Sequence, residues 1–256
     1  MKASDTSVNA AKRTLEIMPS PQPRLKYYDL ILGSFAVVLV ISNIASTKFA
    51  TVTLGSWKPV FDGGTFLFPL TYIFGDILTE VYGYQRSRRV IWFALGMNLF
   101  ASLIFALVGI LPTDASSPTK GVFEVVLGFL PQIVAASFIA FFIGEFLNSY
   151  VLSKMKIMTN GRWLWTRTIG STLLGQGADT LIFTFVAYGI GANAYPSDVL
   201  WNIIQTNYLY KVALEVILTP VTYVVVRGLK RAEGLDHFDH NTDFNPFKLT
   251  ERPNAR

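Results

Sequence analysis

Six ionisable side chains interrupt runs that are otherwise apolar: Asp76 and Glu80, Glu145, Asp179, and Lys211 with Glu215. A charge at the centre of a bilayer costs roughly 2.5 to 3.5 kcal/mol on insertion scales, so six on lipid-facing surfaces would cost on the order of 15 to 20 kcal/mol. They must therefore face inward. Spacing agrees, because residues three or four apart share one side of a helix. Asp76 and Glu80 do so, as do Gln176 and Asp179, while Asn207, Lys211 and Glu215 follow one another along a single stripe. Asn43, Asn98 and Gln132 add amides in three other runs. The pattern describes a polar chamber inside a helical bundle, where carboxylates accept N–H groups from a ligand or carry protons.

Each of these residues also has a plainer reading. Lys211 and Glu215 pair if the four-residue spacing is used within their own helix, and Asn98 and Gln132 serve equally well as hydrogen bonds between helices. Glu80 reads as a cap beside Arg86 and Arg88. Asp179 has no basic residue within a turn of its own helix, so it requires a partner from another helix, a proton or a ligand. The aromatic residues Phe68, Tyr72, Phe74, Trp92, Phe183 and Tyr208 read first as packing or interfacial anchors. Five carboxylates against the ammonium of Lys211 is more like charge than a low-dielectric interior accepts, so at least one carboxyl is expected to hold a proton. Proton coupling and facilitated diffusion are both compatible with that expectation.

The elements that must hold these groups are readable from composition. Half of the 256 residues are hydrophobic (51%) and 15% are charged, against about 25% charged in soluble domains. Stretches long enough to cross a hydrocarbon core fall near 28–50, 64–83, 88–111, 122–150, 166–191 and 198–228. The expected fold is an all-α integral membrane protein, a bundle of six transmembrane helices. Basic residues collect on the cytoplasmic side of membrane proteins. With the N-terminus inside, that side receives Lys2, Lys12, Arg13, Arg24 and Lys26; Arg86, Arg88 and Arg89; Lys154, Lys156, Arg162 and Arg167; and Arg227, Lys230, Arg231, Lys248, Arg252 and Arg256. These are 18 of the 22 basic residues. Both termini are then cytoplasmic, and Lys48, Lys58 and Lys120 lie outside.

This gives a cytoplasmic N-terminal tail at 1–27, a membrane domain at 28–228 and a cytoplasmic C-terminal tail at 229–256. The N-terminal tail is polar and reads as disordered rather than as a signal peptide. In the C-terminal tail, His237 and His240 beside Asp236 and Asp239 read as part of a solvated segment in preference to a metal site. The formal charge of +5 is spread over loops bordering the membrane and not along one groove, so nucleic acid is not an expected partner. The absence of cysteine removes thiol catalysis and disulfides. Gly75, Gly96, Pro131, Gly175, Gly177 and Pro220 mark expected close helix contacts or kinks, and the pair Ala136 and Ala140 reads as packing. Three helices per half would permit an inverted repeat, although the halves do not match in sequence.

The run FPLTYIFGDILTEVYGYQRSRRVIW, Phe68 to Trp92, resembles the signature of the queuosine precursor transporter family, also described as vitamin uptake transporters. SNIASTK (Ser42 to Lys48), GQGADTLIF (Gly175 to Phe183) and NYLYKVALEVILTPVTY (Asn207 to Tyr223) follow in the same order and extend the resemblance across the membrane domain. It implies an inner-membrane importer of 7-deazaguanine bases used in transfer RNA modification, with a fold similar to the substrate-binding subunits of energy-coupling-factor transporters. Those subunits meet their partner through an Ala-x-x-x-Ala motif in the first helix. Here that span carries Ala36, Ala45 and Ala50 without such a pair, which favours a solitary carrier over a subunit of an ATP-driven complex. No G-x-x-x-x-G-K-[ST] loop is present either. The candidate substrate residues are Asn43, Lys48, Phe68, Tyr72, Asp76, Glu80, Asn98, Gln176, Asp179, Asn207, Lys211 and Glu215. No cofactor is implied, and whether several copies assemble is left open. The rival from another class, a membrane-embedded enzyme holding a divalent ion at Asp76 and Glu80, lacks ligands unless Glu145 joins them.

Overall fold

Apolar runs bounded by turn residues give long helices, and a computed structural model describes residues 25–248 except 54, 56, 57, 115, 119, 129, 192, 193 and 241. Most of the N-terminal tail therefore lies outside the described residues. The helices are α1 (Tyr28–Ala45), α2 (Phe68–Tyr82), α3 (Tyr84–Gly109), the short α4 (Val122–Leu127), α5 (Leu130–Met158), α6 (Leu164–Tyr188) and α7 (Ser197–Glu233). Among the described residues, four stretches are long and apolar enough to cross a membrane: Tyr28–Ala45, Tyr84–Gly109, Val125–Met158 and Ser197–Glu233. The other two expected spans depart for different reasons. α2 has only 15 residues, and α6 is studded with buried Arg167, Thr168, Ser171, Thr172, Gln176, Asp179, Thr180 and Thr184.

Several boundaries differ from the sequence reading. The first helix stops at Ala45, and the chain turns into a short antiparallel hairpin, β1 (Phe49–Thr51) with β2 (Val60–Asp62), which pairs Ala50 with Phe61. A 3-10 turn at Gly63–Phe66 leads into α2. Gly83, at φ 84°, is the whole connection between α2 and α3, and a side chain there would collide with the ring of His237. α7 runs through Pro220 to Glu233, beyond the expected end at 228.

α5 and α6 approach closely at paired glycines: a Cβ on Gly144 would stand 2.8 Å from the Gly175 carbonyl oxygen, and one on Gly175 2.8 Å from that of Gly144. Of the glycines expected to mark contacts, Gly75 and Gly175 do so. Gly96 has open space and Gly177 meets Tyr208 only at an ordinary 3.6 Å. Ala136 and Ala140 are fully buried in an internal cluster with Phe183, Ala187 and Ile203.

The C-terminal tail is docked, not solvated. Asp239 is 2% exposed and accepts hydrogen bonds from the Tyr84 amide and the Ser153 hydroxyl. Arg88 donates to the Asp243 and Asn245 carbonyls, and Trp92 to that of Pro246. Phe244 packs on Tyr84 and Tyr150, and Phe247 on Trp92. His240 stacks on Phe238, and His237 sits 3.6 Å from Asp239. A tail without helical period can still bind to a surface through its carbonyls and isolated rings, and periodicity carries no signal of that.

Candidate functional site

The polar interior divides into three layers. At the end of the bundle that carries the basic loops, Glu80 is completely buried, and its Oε1 receives Lys230 at 2.6 Å, Arg167 at 2.9 Å and Lys156 at 3.4 Å. Those cations come from α7, α6 and α5, so three helices are tied to α2 through one carboxylate. The expected cap by Arg86 and Arg88 is not formed; Arg88 is occupied by the tail. Lys156 also donates to the Glu80 carbonyl, the His237 carbonyl and Asp236, which fastens the tail to the same hub. Lys156 and Arg167, counted in the sequence among the basic residues of the cytoplasmic side, are each 1% exposed.

In the middle layer, α2, α5, α6 and α7 bring Asp76, Glu145, Asp179 and Glu215 together. Asp76 accepts a 2.8 Å bond from Asn148 and interacts through space with Glu215, Glu145 and Glu80. Glu145 likewise feels Asp179 and Glu215. Its carboxylate presses on Gly75, where any side chain would displace it. Tyr72, fully buried, reaches the Gly175 carbonyl at 3.4 Å. Lys211 bonds Asp179 at 3.0 Å, reaches Thr180 at 3.3 Å and lies over the Phe68 ring at 4.6 Å from its centre. The pairing of Lys211 with Glu215 suggested by their spacing is therefore replaced by a bond across helices, and Asp179 has the partner it required. Among the described residues, Asp76 Oδ2, Asp179 Oδ1, both oxygens of Glu145 and Glu215, and both polar atoms of Gln176 are buried without a hydrogen-bond partner.

The third layer was missed in the sequence. Asp62, at the end of β2, is 3% exposed and accepts bonds from Ser46 (2.8 Å), Thr65 (3.1 Å) and Asn207 (3.0 Å). An Asp-Gly pair reads as a turn, and the sequence carries no stronger signal for Asp62 than the need of an inward-facing Asn207 for some partner. A narrow gap with room for about 10 Å³ lies between this layer and the middle one, lined by Ser46, Asp62, Phe68, Asp179, Phe183 and Lys211 among others.

The remaining expected site residues fall outside this arrangement. Lys48 is exposed after α1. Asn43 is buried and donates to the Leu39 carbonyl of its own helix, and the Asn98 side-chain nitrogen is buried without a partner. Gln132 binds the Ala187 and Ile190 carbonyls and so joins α5 to the end of α6, the structural role that its amide suggested.

A protein with several helices able to cross a membrane and a carboxylate-rich interior between α2, α5, α6 and α7 is built as a small-molecule carrier. The chain belongs to the vitamin uptake transporter family: residues 62–225 match the family described as "Putative vitamin uptake transporter". It is 32% identical to the Bacillus subtilis (strain 168) protein named "Probable queuosine precursor transporter", over 66% of this chain and 73% of that one. It is 25% identical to the Escherichia coli (strain K12) "Queuosine precursor transporter", over 65% of this chain and 72% of that one. No solved structure matches it. It is a multi-pass transporter of the inner membrane.

Proposed function

We propose that this chain imports 7-deazaguanine queuosine precursors, such as 7-cyano- or 7-aminomethyl-7-deazaguanine or queuine, as a six-span carrier with both termini cytoplasmic and no ATP-driven partner. The names of its relatives support the substrate class. The observation that carries the reading is the set of free carboxylate oxygens on Asp76, Glu145, Asp179 and Glu215 beside the rings of Tyr72 and Phe68. A guanine-like edge presents an N–H and an NH₂ side by side, and a carboxylate accepts from both while the flat ring lies on an aromatic face. Lys211, held over Phe68, supplies a donor to the carbonyl of the same base.

Under this reading α2 and α6 span the membrane although they are short or polar, because their polar faces turn to the chamber and not to lipid. Glu80, held by three cations, closes the cytoplasmic end and is not a base ligand. The test is uptake of labelled 7-cyano-7-deazaguanine by cells lacking a carrier of their own. The wild-type chain should confer saturable uptake. Glu145→Gln or Glu215→Gln should lower it at least about tenfold at unchanged membrane abundance, since a charge-assisted hydrogen bond is worth roughly 1.5 to 3 kcal/mol. No uptake by a well-inserted wild-type chain refutes the function.

A further inference from the structure

At the end of the bundle away from the basic loops lies a second cavity, of about 240 Å³, that opens to the surface and shares Ser46 with the inner one. Three rings from three segments meet in it. Phe49 of β1 stands 4.8 Å from Tyr188 at the end of α6 and 5.5 Å from Tyr195 in the following loop, with 6.2 Å between the two tyrosines. Tyr195 is 42% exposed and Tyr188 6%, so the rings step from the mouth inward. Among the described residues no charged side chain lines this cup. An anion finds no countercharge there, whereas a flat ring gains stacking area on aromatic faces.

Tyr188 is the partition between the two cavities. Its hydroxyl reaches the Ser46 carbonyl at 3.5 Å, and its ring meets Phe183, which lines the inner cavity, edge-on at 5.5 Å. On the other side of Ser46, the hydroxyl bonds Asp62. Tyr188 therefore stands between an uncharged aromatic vestibule and a carboxylate-lined interior.

We infer that the cup formed by Phe49, Tyr188 and Tyr195 is an outer docking site for a planar heteroaromatic base, occupied before the base passes Tyr188 to reach Asp62 and Asp179. This rests on the importer function proposed above. It adds a site that accounts for capture separately from the inner carboxylates that accept the base's donors.

The experiment uses the full chain in proteoliposomes with labelled 7-cyano-7-deazaguanine, together with equilibrium binding to the purified protein. Tyr195→Leu and Phe49→Leu should each raise KM about tenfold, in keeping with the loss of one stacking partner, while leaving the maximal rate within about twofold. Tyr195→Trp, which keeps a stacking face, should retain the wild-type KM. The exposure of Tyr195 makes its substitution tolerable to the fold, and a monodisperse, fully inserted variant confirms that. Unchanged KM in both leucine variants overturns the cup, as does a fall in maximal rate alone, which would make the rings packing. If the wild-type protein neither binds nor transports the base, the importer function fails and the cup falls with it; transport with unaltered KM in the variants removes the cup and leaves the function standing.

Discussion

The buried ion pair between Lys211 and Asp179 decides how substitutions in the chamber should be interpreted. Removing one partner of a buried pair strands the other charge and costs about 3 to 5 kcal/mol, whereas replacing both with apolar groups is often neutral. Lys211→Met alone should therefore lower the thermal unfolding midpoint of the purified protein markedly, and Lys211→Met combined with Asp179→Leu should recover most of the loss. Additive losses in the double variant would mean that the two side chains are stabilised separately. Loss of transport in a single Asp179 variant consequently mixes ligand and stability effects, and Glu145 and Glu215, whose oxygens have no hydrogen-bond partner among the described residues, give the cleaner test. The types of these residues and their inward faces were readable from cost and spacing. Their partners were not, because Asp179 and Lys211 are far apart in sequence and the four-residue spacing to Glu215 offers a nearer, wrong alternative.

The docked tail shows how two helices and a strap become one element. α2 and α3 are joined by Gly83 alone, and the tail covers that corner through Asp239, His237 and Phe244. Burial pushes the Asp239 carboxyl up, but the neighbouring His237 and bonds from Thr242 and the Tyr84 amide outweigh it and hold the group below the ordinary aspartate value. A carboxyl with a depressed folded value contributes stability that is complete above its unfolded value, about 3.9, and is lost as pH falls through the folded one. The tail of the purified protein should therefore resist limited proteolysis from neutral pH down to about 4 and become cleavable below that range. Asp239→Asn should be more cleavable at neutral pH, with the acid step diminished. Equal protection in the wild type and the variant at every pH would remove Asp239 from the strap. Six of the seven helices were readable from apolar length, but α4 was merged into the run at 122–150, and the hairpin after α1 and the strap depend on contacts between distant segments that no local pattern reports.

At the scale of the whole molecule, α2 and α6 decide how many times the chain crosses the bilayer. α2, at 15 residues, spans about 22 Å at a rise of 1.5 Å per residue, short of a hydrocarbon core of about 30 Å, and α6 is not among the four helices apolar enough by composition. A four-span chain with its N-terminus inside would put the loop after α3 in the cytoplasm and the loop between α5 and α6 outside. The six-span chain reverses both. It also keeps Arg86, Arg88, Arg89, Lys154, Lys156 and Arg162 on the cytoplasmic side, where the distribution of basic residues favours them. Lys58 and Arg231 do not discriminate, since both arrangements leave the first outside and the second inside. Lys120 and Arg162 do, and both are exposed. The chain contains no cysteine, so a single introduced thiol reports its own position without background. In intact cells, a membrane-impermeant maleimide should label Lys120→Cys and spare Arg162→Cys, which should react only after the membrane is permeabilised. The opposite pattern would leave α2 and α6 as non-spanning elements. It would open the carboxylate chamber to one side permanently, and a carrier cannot work that way.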